Sequence, residues 1–213
     1  MINKKEKARF NKIIEILKKE YPKVKVALDH ETPFELLIAT MLSAQCTDAR
    51  VNIVTKDLFK KYKSPKDYLN VPQEELGQDV FSTGFYNQKS KSIQKCCKAL
   101  LEEHGGEVPA NFEKLAKLHG VGRKTASVVA GNAFGIPAIA VDTHVIRITN
   151  LLGFVDVKDP KKIELKLKEL LPEKDWVNYT HWIISHGRKV CVARRPKCLE
   201  CVLFDFCPSK TNG

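Results

Sequence analysis

The 213-residue chain has 43% hydrophobic and 29% charged residues, a globular composition that excludes an intrinsically disordered polypeptide. Its 36 Lys and Arg residues outnumber 25 Asp and Glu residues, which gives a formal net charge of +11 and a pI near 9.3. This charge favours a polyanionic partner, most economically nucleic acid, although charge alone does not establish DNA binding.

The sequence predicts an intracellular protein. Residues 1–20 are charged throughout and lack the apolar core and cleavage site of a signal peptide. The longest uncharged stretch, residues 126–141, is too short to span a bilayer and is interrupted by glycine and proline. Structural disulfides are rare inside cells, so the seven cysteines, four of them in the last 23 residues, indicate a metal site.

Apolar residues recur at helical spacing along nearly the whole chain. Phe10, Ile13, Ile14 and Leu17 form one such stripe. Only residues 136–141 have an extended pattern, and one short segment does not make a sheet. We therefore predict nine to eleven helices in an all-α fold.

Several helix ends can be predicted from capping residues. Residues 32–35, Thr-Pro-Phe-Glu, combine a capping box with proline at the first helical position. Asp48, Asn111 and the pair Asp159-Pro160 are further expected starts, and Gly105-Gly106 is expected to end the preceding helix.

Residues 112–134 predict two helices joined by a tight turn at Gly120, Val121 and Gly122. Two glycines permit a sharp reversal, and the free N–H groups that start the second helix can bind a DNA phosphate. A Walker-type loop is excluded because Arg123 separates the glycine from the lysine and no strand precedes it. A plain glycine turn between two core helices remains an alternative.

Lys124 lies in the first turn of the second predicted helix. The positive end of the helix dipole disfavours a cation there and favours the neutral amine that nucleophilic attack on a sugar carbon requires. The alternative is that Lys124 is one more exposed lysine.

Asp142 follows the extended segment and precedes another helical pattern, so it is expected to be an N-cap. A carboxylate at a helix start can also accept the proton of an amine or stabilise a positively charged sugar. Capping alone would explain the residue, and we expect His144 to pack or cap locally.

The C-terminal cysteines follow the spacing C-x6-C-x2-C-x5-C. Zinc modules usually have two short knuckles separated by a longer stretch, whereas four thiolates in one compact run favour a cubane cluster, although the ligand count alone also permits zinc. The predicted ligands are Cys191, Cys198, Cys201 and Cys207. The other three cysteines, Cys46, Cys96 and Cys97, are expected to be small buried residues on helices.

The first loop of this cysteine run is strongly basic. Residues 188–197 contain five basic residues and no acid, on a loop that a metal centre would make rigid. We expect a phosphate-contact surface, formed in the loop itself by Arg194, Arg195 and Lys197.

Together these motifs resemble the endonuclease III family of DNA glycosylases/lyases. The matching segments occur in the family's order and spacing over about three-quarters of the chain: SAQCTD at 43–48, GFYNQK at 84–89, LHGVGRKTASVV at 118–129, AVDTH at 140–144, HWIISHGR at 181–188 and the four cysteines.

The resemblance implies two helical domains flanking a DNA-binding cleft into which the damaged nucleotide is flipped. Residues 26–136 would form a six-helix barrel domain with the helix-hairpin-helix at about 112–134. Residues 1–25 and 137–213 would form the second domain around a [4Fe–4S] cluster.

By position in these motifs, Lys124 matches the nucleophile and Asp142 the carboxylate that assists it. Gln45 matches the residue that fills the space left by the flipped base. Phe85 stands where a wedging leucine is usual, and His119 replaces a proline before the hairpin. The other expected DNA contacts are Gly120, Val121, Gly122, Arg123, Arg194, Arg195 and Lys197.

The implied function is that of a bifunctional DNA glycosylase/AP lyase that removes oxidised pyrimidines. Its partner would be double-stranded DNA with a damaged base or abasic site, and we expect a cytoplasmic, nucleoid-associated monomer. One alternative is a monofunctional mismatch glycosylase, which Lys124 disfavours. The other is a non-enzymatic iron–sulfur DNA-binding protein, which leaves Lys124 and Asp142 unexplained.

Overall fold

The computed structural model describes residues 4–211, and within that range it contains eleven α-helices, four short 3-10 helices and no β-strand. The all-α prediction is therefore confirmed. None of these helices combines the length and the hydrophobicity that crossing a membrane requires. The α-helices are Lys4–Glu20 (α1), Pro33–Leu42 (α2), Asp48–Lys61 (α3), Pro65–Leu69 (α4), Gln73–Asp79 (α5), Tyr86–His104 (α6), Phe112–Lys117 (α7), Arg123–Phe134 (α8), Thr143–Leu151 (α9), Pro160–Leu170 (α10) and Trp176–Lys189 (α11).

The chain divides into two compact units. Val26–Ala138 forms one, here called the middle unit, and Met1–Lys25 with Ile139–Gly213 forms the other, the terminal unit. The sequence-based boundary lies at residue 136, and the contacts within the structure place it at residue 138.

Helix α2 is the centre of the middle unit. Its seven consecutive residues Leu36–Leu42 are all buried, as expected for a helix that packs on every side. Helix α8 packs against it through a face that includes the small residues Ala126 and Ala130, both fully buried. This packing fixes the start of α8, where Lys124 lies.

The terminal unit has its own core around α1, α9 and α11. The stripe predicted on α1 is confirmed, because Phe10, Ile13, Ile14 and Leu17 are at most 5% exposed. Tyr179 of α11 is fully buried, and its hydroxyl is 3.1 Å from the Thr149 hydroxyl of α9. This hydrogen bond satisfies two polar groups that would otherwise be costly to bury.

Most predicted helix ends are confirmed, with two corrections. Thr32, Asn111 and Asp159 each accept a backbone N–H in the first turn of their helix, and Gly105 ends α6 with φ +61°. The N-cap of α3 is Thr47 rather than Asp48, which is the first helical residue.

The second correction concerns the capping box of α2. Glu35 accepts the N–H of Glu31 rather than that of Thr32, at 2.6 Å, so the reciprocal bond is displaced by one residue. Thr32 still caps the helix, because its Oγ1 accepts the N–H of Glu35 at 3.1 Å.

Candidate functional site

The predicted hairpin is present between α7 and α8. Leu118 ends α7, and the Val121 N–H closes the turn by donating to the Leu118 carbonyl at 3.0 Å. Val121 is only 4% exposed, so its side chain anchors the turn in the middle unit. Gly120 has φ +76°, a conformation that favours glycine.

The two glycines of the turn have different surroundings. A Cβ on Gly120 would lie 2.9 Å from the Ser92 Cβ and 3.0 Å from the Met41 Cε, so the turn rests directly on α6 and α2. A Cβ on Gly122 would meet no atom within 4 Å, and its φ of −80° suits any residue. Gly120 therefore seats the hairpin, whereas Gly122 leaves the backbone at the start of α8 open to a partner.

Helix α8 begins without a side-chain cap. Its N-cap is Gly122, which has no side chain to accept the N–H groups of the first turn. Arg123 stacks over the Phe112 ring at 5.0 Å, and Lys124 is exposed beside it. A first turn with a glycine N-cap and the Arg123 guanidinium at its start suits a phosphate group.

Gln45 and Phe85 both have left-handed backbone conformations. Their φ angles are 53° and 50°, which is uncommon for residues other than glycine and marks candidate functional positions. Both side chains are exposed, Phe85 to 64%. Together with Gly120 they line one cavity of about 260 Å³, so the structure brings these three predicted DNA contacts together.

Asp142 is the N-cap of α9, as predicted. Its Oδ1 accepts the Val145 N–H at 2.8 Å, and its Oδ2 lies 3.1 Å from the His144 Nδ1. The carboxylate is 16% exposed and both of its oxygens have partners. It is therefore held in a fixed direction at the positive end of the helix.

His144 packs against α11 at Gly187. A Cβ on Gly187 would lie 2.6 Å from the His144 Cδ2, so only glycine leaves room for the imidazole ring. The ring position, and with it the hydrogen bond to Asp142, depends on this contact inside the terminal unit.

Lys124 and Asp142 belong to different units, Lys124 to the middle unit and Asp142 to the terminal unit.

Four cysteines surround one cavity in the terminal unit. Cys191, Cys198, Cys201 and Cys207 all line a space of about 340 Å³. Within residues 4–211, no three Cys, His, Asp or Glu side chains are grouped as ligands of a single ion. A cavity of this size accommodates a polynuclear cluster, for which four thiolates are the usual ligand set.

The electrostatics of this cavity also fit an iron–sulfur cluster. Burial, reinforced by the neighbouring cysteines, raises the pKa values of the Cys201 and Cys207 thiols. Four thiolates this close repel one another unless cations share their charge, as iron would. The Arg147 Nη1 lies 3.5 Å from the Cys191 Sγ and provides a further positive charge.

The basic loop lies on the surface beside this cavity. Arg194, Arg195 and Lys197 are exposed, and the loop is closed by the Lys197 N–H, which donates to the Val190 carbonyl at 3.0 Å. Lys197 also forms a long ion pair with Glu200 at 3.8 Å. Both side chains are exposed, so solvent screens this interaction strongly.

Of the other three cysteines, two behave as predicted. Cys96 and Cys97 are fully buried on α6, and burial raises the pKa of Cys96 to about 12. Cys46 corrects the prediction, because it lies in the loop between α2 and α3 and is half-buried.

Sequence reasoning missed Lys89. It lies within the segment GFYNQK, but nothing in its local sequence distinguishes it from the other lysines. In the structure it is 7% exposed and lines the same cavity as Gln45 and Phe85.

Comparisons with known proteins agree with the resemblance. The chain matches the family model of the HhH-GPD superfamily base excision DNA repair proteins over residues 38–173. It also matches the iron-sulfur binding domain of endonuclease III over residues 191–207. Endonuclease III of Bacillus subtilis (strain 168) is 52% identical over 188 residues, which cover 88% of this chain and 86% of that relative.

Two solved structures have the same fold over nearly the whole length. A non-covalent endonuclease III–DNA complex and a trapped endonuclease III–DNA covalent intermediate each have a TM-score of 0.93 and 46% identity, covering 98% of this chain and 97% of theirs. The protein carries a [4Fe–4S] cluster. The chain belongs to the endonuclease III family, the helix-hairpin-helix DNA glycosylases/AP lyases of base excision repair.

Proposed function

We propose that this chain removes oxidised pyrimidines from duplex DNA by nucleophilic attack of Lys124 and then cleaves the strand at the resulting abasic site. The observation that carries the proposal is the position of Lys124. It is an exposed amine on the first turn of α8, directly after a turn whose backbone is open to a phosphate. A trapped covalent endonuclease III–DNA intermediate supports an enzyme nucleophile in this family.

In the first step, the Lys124 Nζ forms a bond to the sugar C1′ as the glycosidic bond breaks. The base leaves with the bonding electrons, and the amine loses a proton. The sugar ring then opens to an imine. This imine acidifies the C2′ hydrogens. Loss of one C2′ proton to solvent forms a C2′–C3′ double bond as the C3′–O bond breaks, which expels the 3′ phosphate and nicks the strand.

Asp142 assists the first step in this proposal. As the glycosidic bond breaks, the sugar gains positive charge and the attacking amine must lose a proton. A carboxylate whose two oxygens are fixed by Val145 and His144 can stabilise that charge or accept that proton.

DNA is held by groups that do not read its sequence. We assign the phosphate contacts to the hairpin, residues 120–123, and to Arg194, Arg195 and Lys197 of the basic loop. Gln45 fills the space of the flipped base and Phe85 wedges the neighbouring stack. The left-handed backbone at both residues supports this role, because such conformations are uncommon outside glycine and cluster at functional sites.

We assign the [4Fe–4S] ligands to Cys191, Cys198, Cys201 and Cys207. The cluster would cross-link the C-terminal segment through iron–thiolate bonds and so hold the basic loop in place. We further propose that the protein acts as a monomer on nucleoid DNA in the cytoplasm.

The test is borohydride trapping. Reduction of the imine should link the enzyme covalently to duplexes containing an oxidised pyrimidine or an abasic site, and peptide mapping should find the adduct on Lys124. Lys124→Gln removes the nucleophile but keeps a similar stem and helix propensity, so trapping should vanish while DNA binding persists. Lys114→Gln, at an exposed lysine of α7, is the matched control and should trap normally.

Two outcomes would contradict the assignment. Base release without a trappable intermediate would indicate a monofunctional glycosylase that uses water. An adduct on another lysine would leave the hairpin as a DNA-binding element only.

A further inference from the structure

Lys89 is a buried cation that connects two loops of the middle unit. It lies in the first two turns of α6 and is 7% exposed. Its Nζ donates to the Leu42 carbonyl at 2.8 Å and to the Thr83 carbonyl at 2.8 Å. Leu42 is the last residue of α2, and Thr83 is the last residue of the 3-10 helix Phe81–Thr83.

Both acceptors are carbonyls at helix ends, which lack partners within their own helix. An ammonium is a favourable partner for them, because the carboxyl end of a helix carries partial negative charge. Burial of a cation is nevertheless costly, and burial lowers the pKa of Lys89. The two hydrogen bonds satisfy carbonyls that an apolar side chain would leave unpaired, so the ammonium ties the end of α2 to the end of the 3-10 helix.

The two anchored loops present the two predicted inserting residues. Gln45 follows Leu42 by three residues, and Phe85 follows Thr83 by two. Both have left-handed backbones, and Gln45, Phe85 and Lys89 line the same cavity of about 260 Å³. The Lys89 ammonium therefore fixes the starts of the two loops, the one that carries Gln45 and the one that carries Phe85, relative to each other.

We propose that Lys89 is a positioning residue that holds Gln45 and Phe85 in the spacing at which both side chains enter the duplex together. This inference rests on the inserting roles proposed above for Gln45 and Phe85. Lys89 acts through these two side chains rather than as a DNA contact, because it is 7% exposed and its ammonium is bound by two carbonyls of the protein.

The same helix also seats the hairpin. Ser92, one turn after Lys89 on α6, is the residue whose Cβ leaves room only for glycine at position 120. Helix α6 therefore contacts both the two loops that carry Gln45 and Phe85 and the hairpin that we propose to bind the DNA backbone. A loss of the Lys89 hydrogen bonds should disturb insertion but leave the hairpin seated on Ser92.

The experiment compares binding of damaged and undamaged DNA. Lys89→Met removes the donors while keeping an unbranched stem, and Lys95→Met, at an exposed lysine of the same helix, is the control. The readout is the ratio of Kd for an undamaged duplex to Kd for a duplex with a stable abasic-site analogue. We expect this ratio to fall about tenfold in Lys89→Met, which is about 1.4 kcal/mol less preference for the damaged duplex, and to stay constant in the control.

A mutant cycle separates positioning from general stabilisation. In a Gln45→Ala, Phe85→Ala background, Lys89→Met should lower the ratio by less than about twofold, because the side chains that it positions are gone. If Lys89→Met does not yield folded protein, Lys89→Gln, whose uncharged amide on a shorter stem weakens both hydrogen bonds, goes through the same cycle with the same expected fall in the ratio.

The possible failures are distinguishable. If Gln45→Ala and Phe85→Ala leave the ratio unchanged, the proposed inserting roles are wrong and the inference falls with them. If Gln45→Ala and Phe85→Ala lower the ratio but the Lys89 variant does not, only the positioning role is overturned. The same holds if the Lys89 variant lowers the ratio by the same factor with and without the two alanine substitutions.

Discussion

At the scale of single residues, Gln45 and Phe85 have backbone conformations that are usually left to glycine. Each left-handed residue costs about 1–2 kcal/mol, which the surrounding packing must offset. Glycine at either position would avoid that cost but would lack the side chain that we propose to insert into DNA. The strain is therefore consistent with function, because it is the cost of directing a particular side chain outwards.

Asp142 combines a structural and a proposed chemical role, and one substitution separates them. Asp142→Asn keeps an amide oxygen for the Val145 N–H, and asparagine is as good an N-cap as aspartate. We expect the free energy of unfolding to change by about a few tenths of a kcal/mol. Base excision should fall by orders of magnitude, because an amide can neither accept the proton nor offset charge on the sugar.

The measurements for Asp142→Asn are single-turnover excision and chemical denaturation of the same preparation. Thr32→Asn, at the N-cap of α2, is a control that changes a cap outside the proposed site. Excision at the normal rate in a folded Asp142→Asn protein would return Asp142 to a purely structural role.

Residues whose partners are close in sequence could be predicted, and residues with distant partners could not. Asp142 is predictable as a cap because its partner, Val145, is three positions away. The role of Lys89 is not predictable, because one of its carbonyl partners is 47 residues distant and the pairing exists only after α2 and α6 have packed. The left-handed backbones of Gln45 and Phe85 likewise have no local signature such as glycine.

At the scale of elements, the hairpin illustrates how one motif contains two different requirements for glycine. The GVG sequence predicted the turn correctly, since the conformational freedom of glycine is a local property. It did not reveal that Gly120 faces a steric limit and Gly122 does not, because Ser92 and Met41 approach only in the folded unit.

This difference predicts that alanine at position 120 lowers the stability of the protein, whereas alanine at position 122 mainly lowers its DNA affinity. Gly120→Ala puts a Cβ within 3.0 Å of two side chains at positive φ, so we expect a loss of about 1–3 kcal/mol in the free energy of unfolding. Gly122→Ala has open space and an ordinary φ, and because alanine is a poorer N-cap than glycine we expect a loss of only about 0.5–1 kcal/mol. Its methyl group would instead obstruct the phosphate, so DNA affinity should fall.

Thermal unfolding and DNA titration of both variants test this prediction. A Gly122→Ala protein with normal affinity for undamaged duplex would mean that the phosphate does not approach the hairpin at this residue. A Gly120→Ala protein of normal stability would contradict the tight seating of the turn on α6.

At the scale of the whole molecule, helical periodicity was sufficient for the fold class but not for every boundary. Stripes such as the one on α1 follow from burial of one helix face, which repeats along the sequence. The start of α3 was misplaced by one residue, since Thr47 and Asp48 are both good caps and only the folded geometry selects Thr47.

The C-terminal segment differs from the rest of the molecule in what holds it together. Residues 191–211 contain two three-residue 3-10 helices, and Leu203 is their buried hydrophobic anchor. The Arg9 guanidinium adds a tether by donating to the Phe206 carbonyl at 2.9 Å. Iron–thiolate cross-links would add to this limited apolar burial in holding the segment, since ordering its backbone costs conformational entropy.

Removal of one cluster ligand should therefore unfold this segment locally. Cys198→Ser keeps the size of the side chain but weakens the bond to iron, so we expect loss of the brown colour and of iron and sulfide, which should be near four each per chain in the parent protein. Hydrogen exchange should rise across residues 191–207, because metal binding and local folding are coupled.

Cys46→Ser, at a half-buried cysteine of the middle unit, is the matched control and should retain full iron content. A parent protein with one zinc and no iron, or a Cys198→Ser protein with its iron intact, would remove this assignment of the cluster ligands.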